Sequence, residues 1–445
     1  MKIDYTVPES TKYYGCLDFN LRYSYRHIYT AGTITYLNFY SYITGYDLRV
    51  AGLCEAIYHS IMGFMEFIPV VGHLIGVIDR SINEKKLEVL HLKGEDPYQL
   101  GLCQGKLLKK DIHYAIGKVM KLFEQRALMA RIRPLKEAKK LEPFIPVEYL
   151  QEMRGIADGA GIEYEKVLIA NTITDIVNLF GCSLYGVSTD EQTNTTEREL
   201  AANHFESLDR EPCRDVDESF DRYDTMKAKD LKDPSISDLK KTLKDVNYYD
   251  TVQSIIFDVN NCDMHIAVAG EYAANRKFTH FTSEEMFGNN SQRDVGTRKK
   301  VVKLARNMDW PLKEMGPRTV LFKRPAIGSK KATVIAGWPG LIGAFSGMNE
   351  KGTAISITVV PSKRQEGIPN SFLMRKILEE SETISEAEAI VANHNPASAM
   401  NLIVAARDGV SLMELDPARQ QRGAANKTYP PEKKSLFQKI SGFFF

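Results

Sequence analysis

The chain has 445 residues, with 58 Lys and Arg against 57 Asp and Glu for a formal charge of +1, which leaves no electrostatic footprint for nucleic acid. Hydrophobic residues at 43% and charged ones at 26% suit a soluble globular chain with room for a large core or two domains. The six cysteines (Cys16, Cys54, Cys103, Cys182, Cys213, Cys262) make no Cys-x-x-Cys pair and no His or carboxylate cluster has ligand spacing, so neither metal nor cofactor is expected.

Residues 1–86 read as an N-terminal, partly apolar helical extension of unassigned role. Its start, Met1 to Pro8, lacks the apolar run of a signal peptide, so a reducing cytoplasm is the expected compartment. Leu53 to Ile78 is apolar but interrupted by Glu55, Glu66 and Pro69, and its longest uncharged run, Phe67 to Ile78, is too short to span a bilayer. Phe64 to Ile78 reads as a core-packing element, with a hairpin in a membrane interface as the alternative.

From Leu87 the alternation Leu87-Glu88-Val89-Leu90-His91-Leu92 predicts a strand. Asp96-Pro97 predicts a capped helix through Leu107 or beyond. Gly101 to Lys106 superficially suggests a phosphate loop, but it has one residue too few between glycines and Leu107 where magnesium requires Ser or Thr. Further helices are predicted over Ile112 to Ile132, Val147 to Ala157 closing at Gly159-Ala160-Gly161, and Tyr164 to Val177.

After Gly181 the texture becomes β-rich. Ser183 to Ser188 and Leu200 to Phe205 predict a hairpin around the polar turn Asp190 to Arg198. Residues 206–247 read as a charged, solvated insertion, partly helical around Ile236 to Val246. Strands are predicted at Ser254 to Val259, Met264 to Ala269, Ala332 to Ala336, Gly343 to Gly347 and Thr353 to Val359, with a basic helical stretch at Arg298 to Met308 between them. Phe372 to Glu380 and Ser385 to Asn393 are predicted helices, the second capped by Ser385 with Glu388. Asn401 to Ala406 and Val410 to Leu415 form a hairpin across Arg407-Asp408-Gly409, and 418–445 is a basic polar tail.

Gly181-Cys182 stands at the switch from helical to β-rich chain. A thiol there can attack the preceding carbonyl, and hydrolysis then frees an α-amine that titrates near about 8 and can serve as the nucleophile's own base. By itself the pair is an ordinary core feature, since most cysteines are small buried residues. Gly347-Met348-Asn349-Glu350-Lys351-Gly352 reads as a hairpin turn. Near a thiol, the Asn349 amide could also donate to an oxyanion, a contribution of about 3–4 kcal/mol.

Gly181-Cys182-Ser183, the strand leading to Asn203, Trp338-Pro339-Gly340, the Gly347 to Gly352 turn, and Asn401-Leu402-Ile403-Val404 with Glu414 resemble the acyl-coenzyme A:6-aminopenicillanic acid acyltransferase family (peptidase C45). These are N-terminal nucleophile hydrolases related to choloylglycine hydrolases and acid ceramidase. The similarity also takes in Gly94 to Leu108 and Gly155 to Gly161, and so covers roughly residues 87–417. It implies an α+β fold, a four-layer αββα sandwich, with self-cleavage between 181 and 182, Cys182 as nucleophile and Asn349 as oxyanion donor. The resemblance also implies, on the strand returning after the nucleophile, an Arg-Asn-x-Asp-like group whose acid orients the α-amine; Asn203 and Glu206 are the positions implied for its asparagine and acid, although Asp209 fits a shifted alignment and the arginine is not in place. The implied activity is that of a cysteine amidohydrolase or acyltransferase on a small-molecule amide or thioester, with a lipid-like acyl group if Phe64 to Ile78 marks one.

Three other readings compete with this one. A papain-like protease would pair the thiol with His204 or His265, neither in a recognisable setting. A serine hydrolase lacks its elbow, because Gly343-Ala344-Phe345-Ser346-Gly347 has the wrong spacing. A catalytically impaired binding or membrane-associated module on the same fold stays open, given the missing arginine.

Overall fold

Strand alternation and helical stripes sort the apolar residues onto two sheets and the helices that cover them. The computed structural model describes residues 87–125, 133–177, 182–190, 195–202, 217–229, 231, 233–288, 300–360, 362, 365–417 and 427–428, with strand pairing alone over 182–190 and 195–197. All of these lie in the unit Leu87–Phe445; the extension 1–86, with its apolar stretch, and the tail beyond 428 lie outside the described residues.

The first sheet runs in the spatial order β1 (Glu88–His91), β8 (Val320–Arg324), β9 (Thr333–Gly337), β10 (Ser346–Asn349), β11 (Ala354–Val359), β12 (Met400–Ala406), β13 (Gly409–Leu415), β14 (Lys427–Thr428). The second runs β3 (Thr195–Ala201), β2 (Cys182–Asp190), β7 (Lys300–Asp309), β4 (Thr251–Asp258), β5 (Asp263–Val268), β6 (Thr279–Phe281). Neighbours are antiparallel except β1 and β8, a parallel pair joined across more than 200 residues. Such a pairing leaves no local trace in a sequence.

Period-two alternation decides which face each strand residue serves. In β12, Leu402 and Val404 join a core formed with the helices, while Ile403 and Ala405 join a core shared with the second sheet. That shared core takes Ile255 and Phe257 from β4 and Val302 and Leu304 from β7. On the other side of the second sheet, Ile256 and Ala305 meet Tyr223, Met226, Leu239 and Leu243.

The helices of the first half are α1 (Pro97–Leu107), α2 (Lys109–Gln125), α3 (Pro134–Leu141), α4 (Val147–Ala160), α5 (Tyr164–Asn171) and α6 (Ile173–Val177). Asp96 caps the first, accepting from the Gln99 amide at 2.8 Å. Gly161 closes α4 in the left-handed region, where a side chain would be strained. The expected single helix over Tyr164 to Val177 is two, broken at Thr172, whose hydroxyl bonds back to Leu168 O at 2.8 Å. Helix crossing explains the glycines that superficially suggest a phosphate loop: a Cβ on Gly101 would sit 1.9 Å from Glu152 O and one on Gly105 2.7 Å from Ile156 O, and on the facing helix one on Gly155 would sit 2.1 Å from Tyr98 O. They let α1 and α4 cross backbone to backbone.

Three expectations are corrected here. Lys300 to Met308, the described part of the stretch expected to be helical, is no helix. It lies in β7, at the middle of the second sheet, where Val302, Leu304 and Met308 alternate inward under the cover of intervening charges. The insertion is no solvated surface element either, because α7 (Asp217–Ala228) and α8 (Ile236–Asp245) bury the apolar stripe Tyr223, Met226, Leu239, Leu243 on the second sheet. Finally, α9 (Ser283–Phe287) and α10 (Asn370–Glu380) are followed by α11 (Ile384–Ala392), which Thr383 and Glu386 box rather than Ser385 and Glu388.

Between α4, β8 and α10 lies a buried charge network. Arg324 meets Glu152 at 2.5 Å, Arg375 meets Glu152 and Glu379 at 2.7 Å each, and Lys330 meets Glu379 at 2.9 Å. Burial alone would raise the Glu379 carboxyl, but the Arg375 and Lys330 charges overcome it and pull it down to about 2. The network holds a helix from the first half against one from the second.

Candidate functional site

Cys182 opens β2, and its backbone pairs with Met308 of β7, which pairs in turn with Gln253 of β4. The nucleophile candidate therefore stands two strands in from Gln253, at the end of the second sheet where β2 begins and β7 ends. Met308 is buried among Trp310, Trp338 and Phe345, and the two indoles lie 4.5 Å apart. Trp338 is 1% exposed and its Nε1 has no acceptor in reach.

Three contacts fix which end of the first sheet faces this position. Arg306, paired with Leu184, donates to Phe345 O at 2.5 Å and to Ser346 Oγ. Gln253 donates to Thr319 Oγ1 at 3.0 Å, and Asn401 of β12 donates to Ala202 O at 2.8 Å. Asn401 thus pins the end of β3 immediately before Asn203. At this end the face shared by the sheets turns polar: Ser346 pairs with Ser356, Thr358 with Asn401, and Asn401 with Glu414, all buried. Ser356 Oγ and Gln253 Oε1 have no hydrogen-bond partner in reach, a costly state in an interior unless a ligand or water completes it.

Asn349 lies elsewhere. It ends β10, three residues and about 10 Å along the strand from Ser346, and its Nδ2 donates to Leu378 O and Ser381 O at 2.8 Å each. Its Oδ1 accepts from the amides of Lys351 and Thr353 at 3.0 and 2.9 Å. A carboxamide has two donor hydrogens, and both are committed to the C-terminal end of α10. The oxyanion expectation is corrected to a role in the turn and in holding that helix. Gly352, at φ +91°, completes the turn, and a Cβ there would meet Val259 O at 2.7 Å.

The other expected site residues, Asn203, Glu206 and the alternative Asp209, lie outside the described residues, as does His204. His265 sits opposite Ile256, on the face covered by α7 and α8. Burial and the stacked His280 ring, 4.2 Å away, push it down to about 4. That face is the wrong one for a base shared with the polar end between the sheets.

The segment just before Cys182 carries groups that no motif flagged. Asn171 donates to Gly340 O at 2.9 Å and accepts from Ile342 N at 2.8 Å, docking the end of α5 on the Trp338-Pro339-Gly340 loop. Asp175, 1% exposed, accepts from Ser398 Oγ at 2.8 Å, from the Asn370 amide at 3.2 Å and from Thr174 Oγ1 at 3.2 Å. Burial pushes its carboxyl up to about 6, against the pull of those hydrogen bonds.

On the far side of the second sheet, Arg222 of α7 pairs with Asp309, which also accepts from Thr251 at 2.5 Å. Burial raises the Asp309 carboxyl, and Asp250 beside it is pushed up to about 6 by burial and then by Asp309.

Residues 297–429 match the family model of acyl-coenzyme A:6-aminopenicillanic acid acyl-transferase, the family that the motifs resemble. The match takes in Trp338 to Gly340, the Gly347 to Gly352 turn, Asn401 and Glu414, and leaves Cys182 outside it. This family of acyltransferases is related to the N-terminal nucleophile hydrolases, and the mixed α+β architecture is consistent with such a fold. A 152-residue stretch is also 27% identical to protein dcd1A from Dictyostelium discoideum, covering 29% of this chain and 33% of that one. The chain thus matches about a third of the length of this relative. Among the described residues no helix is long and apolar enough to cross a membrane, and no group of acidic, His and Cys residues could hold a metal ion.

Proposed function

We propose that the chain is a cysteine acyltransferase or amidohydrolase of the N-terminal nucleophile type, layered as helices, first sheet, second sheet, helices, and activated by cleavage between Gly181 and Cys182. The observation that carries this reading is that β2 begins at Cys182, in the interior of a sheet, beside the polar end of the face between the sheets. In the activating step the Cys182 thiol adds to the Gly181 carbonyl carbon and the C–N bond breaks, giving a thioester and a free α-amine. Water then releases the Gly181 carboxylate and returns the thiol. In turnover the thiolate takes an acyl group from an amide or thioester, the amine or thiol leaves with a proton, and water or an amine acceptor resolves the acyl-enzyme. Glu206 or Asp209, with Asn203, is assigned to orient the α-amine. Ser356 Oγ and Trp338 Nε1 are the buried donors left to receive substrate oxygen at this end.

Intact-mass analysis of the purified chain tests the first step. Cleavage divides 445 residues into 181 and 264, so 50.3 kDa should become about 20 and 30 kDa. Cys182→Ala should give only the full-length mass and no thiol-dependent turnover of N-acyl amino acids, acyl-ethanolamides or acyl-thioesters. A wild-type chain that stays whole and inert on every member of that panel would favour the second reading, a binding module, which the absence of arginine between Asn203 and Asp209 supports.

A further inference from the structure

We propose that Asp175 is a positioning residue, an anchor that fixes the chain upstream of the scissile bond to the N-terminus of α10 and so presents Gly181–Cys182 for cleavage. The inference rests on the self-cleavage reading for its consequence, and on the hydrogen bonds of Asp175 for its substance. Cys182 lies seven residue steps beyond Asp175, a reach of at most about 25 Å of extended chain. Downstream, Cys182 is held by β2 in the second sheet; upstream, Asp175 and Asn171 are held to elements that belong with the first. The peptide to be cut is thereby tethered on both sides.

Asp175 suits this task better than a neutral residue. The Asn370 amide it accepts belongs to the first residue of α10, where unpaired N–H groups and the helix dipole favour a negative charge. Ser398, which donates to Asp175, also accepts from Asn370 Nδ2 at 3.0 Å, so the carboxylate orders the strand approach before β12 together with the helix start. The groups that face it from α6, from α10 and from the segment before β12 are Thr174, Asn370 and Ser398, none of them titratable. A fully buried carboxylate without a counter-ion among those partners is expensive scaffolding, and an amide does not replace it, because Oδ1 accepts from Asn370 N and Ser398 Oγ while Oδ2 accepts from Thr174 Oγ1, and an amide would put a donor at one of the two positions. Its carboxyl, raised to about 6, makes the anchor sensitive to pH: below that value it is protonated and loses the charge that the helix terminus favours.

Two measurements on the full-length chain test the anchor. Hydrogen–deuterium exchange in the Cys182→Ala background, where no cleavage intervenes, should show peptides covering 171–177 and 368–372 exchanging several-fold faster when Asp175→Asn is added, with the rest unchanged. In the cleavable background, Asp175→Asn should slow processing several-fold and abolish its decline below about pH 6. Ser398→Ala, which removes one donor and no charge, should give a smaller loss in the same direction and decides the matter if Asp175→Asn does not fold. Wild-type exchange and a wild-type pH profile in both variants would overturn the proposal. If the wild-type chain is itself never cut, the self-cleavage reading falls, and the exchange measurement alone decides whether Asp175 is an anchor.

Discussion

The first sheet carries a buried polar cluster on each of two sides, and the two are built on opposite terms. On the helix side, Glu152, Arg324, Arg375, Glu379 and Lys330 place every charge within 3 Å of an opposite one. At the β2 end, Ser356 and Gln253 keep polar atoms buried with no partner on the face between the sheets, while on the helix side Trp338 does the same and Asp175 is a carboxylate held only by neutral groups. In the Arg375 network the charges are saturated, each matched by an opposite one, and it serves the fold even though Arg324 Nε has no hydrogen-bond partner in reach. A cluster left incomplete in an otherwise well-packed interior reserves its bonding capacity for something that arrives, which is how a site differs from a scaffold.

Breaking the saturated cluster should have the largest effect on stability. Arg375→Met removes the cation shared by Glu152 and Glu379, and urea unfolding should show a loss of about 3–5 kcal/mol, the range for orphaning one side of a buried pair. The two clusters should also titrate in opposite senses. The Glu379 carboxyl is lowered from 4.5 to about 2, so its stabilising contribution is present above 4.5 and is lost as pH falls through 2. The Asp175 carboxyl is raised from 3.8 to about 6, so its contribution is present below 3.8 and is lost as pH rises through 6. Glu379→Gln should therefore flatten the acid limb of the stability profile, and Asp175→Asn should flatten the decline between about pH 4 and 6, at a level set by the anchor bonds it loses. If both variants flatten the same limb, the contrast is wrong.

Asn349 belongs with the saturated side. Asn349→Gly keeps the backbone bonds of the turn but takes the acceptor from the Lys351 and Thr353 amides and the Nδ2 donor from Leu378 O and Ser381 O, the last of which keeps Thr353 Oγ1 at 3.2 Å, so it should cost about 2–3 kcal/mol in chemical unfolding. Turnover per folded molecule should stay near wild type. A large drop in turnover with unchanged stability would move Asn349 back to the site.

Local signals explain what the sequence made legible. Asp96-Pro97, the Gly161 closure, the Arg407-Asp408-Gly409 hairpin and the strand after Gly181 were each readable from a few adjacent residues. β7 has no local strand signal because Lys300, Lys303 and Arg306 hide a period of two, and Arg306 takes an inward position only because Phe345 O and Ser346 lie across the sheets to receive it. In the insertion, abundant charge concealed the stripe formed by Tyr223, Met226, Leu239 and Leu243. At the site, the change of texture marked Cys182. Asp175 went unread because one acid in an apolar helical run looks like a solvated residue until Asn370 and Ser398, some 200 residues on, are brought to it.

The smallest effect on stability is also the sharpest test of the contrast. Ser356 is fully buried in β11, opposite Ser346, and its Oγ meets no partner. Replacing a buried hydroxyl that makes no hydrogen bond removes a desolvation cost and leaves the methylene in place, so Ser356→Ala should keep or gain up to about 1 kcal/mol of stability. A scaffold residue would show nothing more. A donor reserved for the substrate oxygen should show a fall in kcat of about tenfold or more, since a hydrogen bond made only in the transition state appears in the rate and not in folding. Stability lost together with unchanged kcat would place Ser356 with Arg375 and Asn349, and the polar end between the sheets would then be scaffold like the network behind the first sheet.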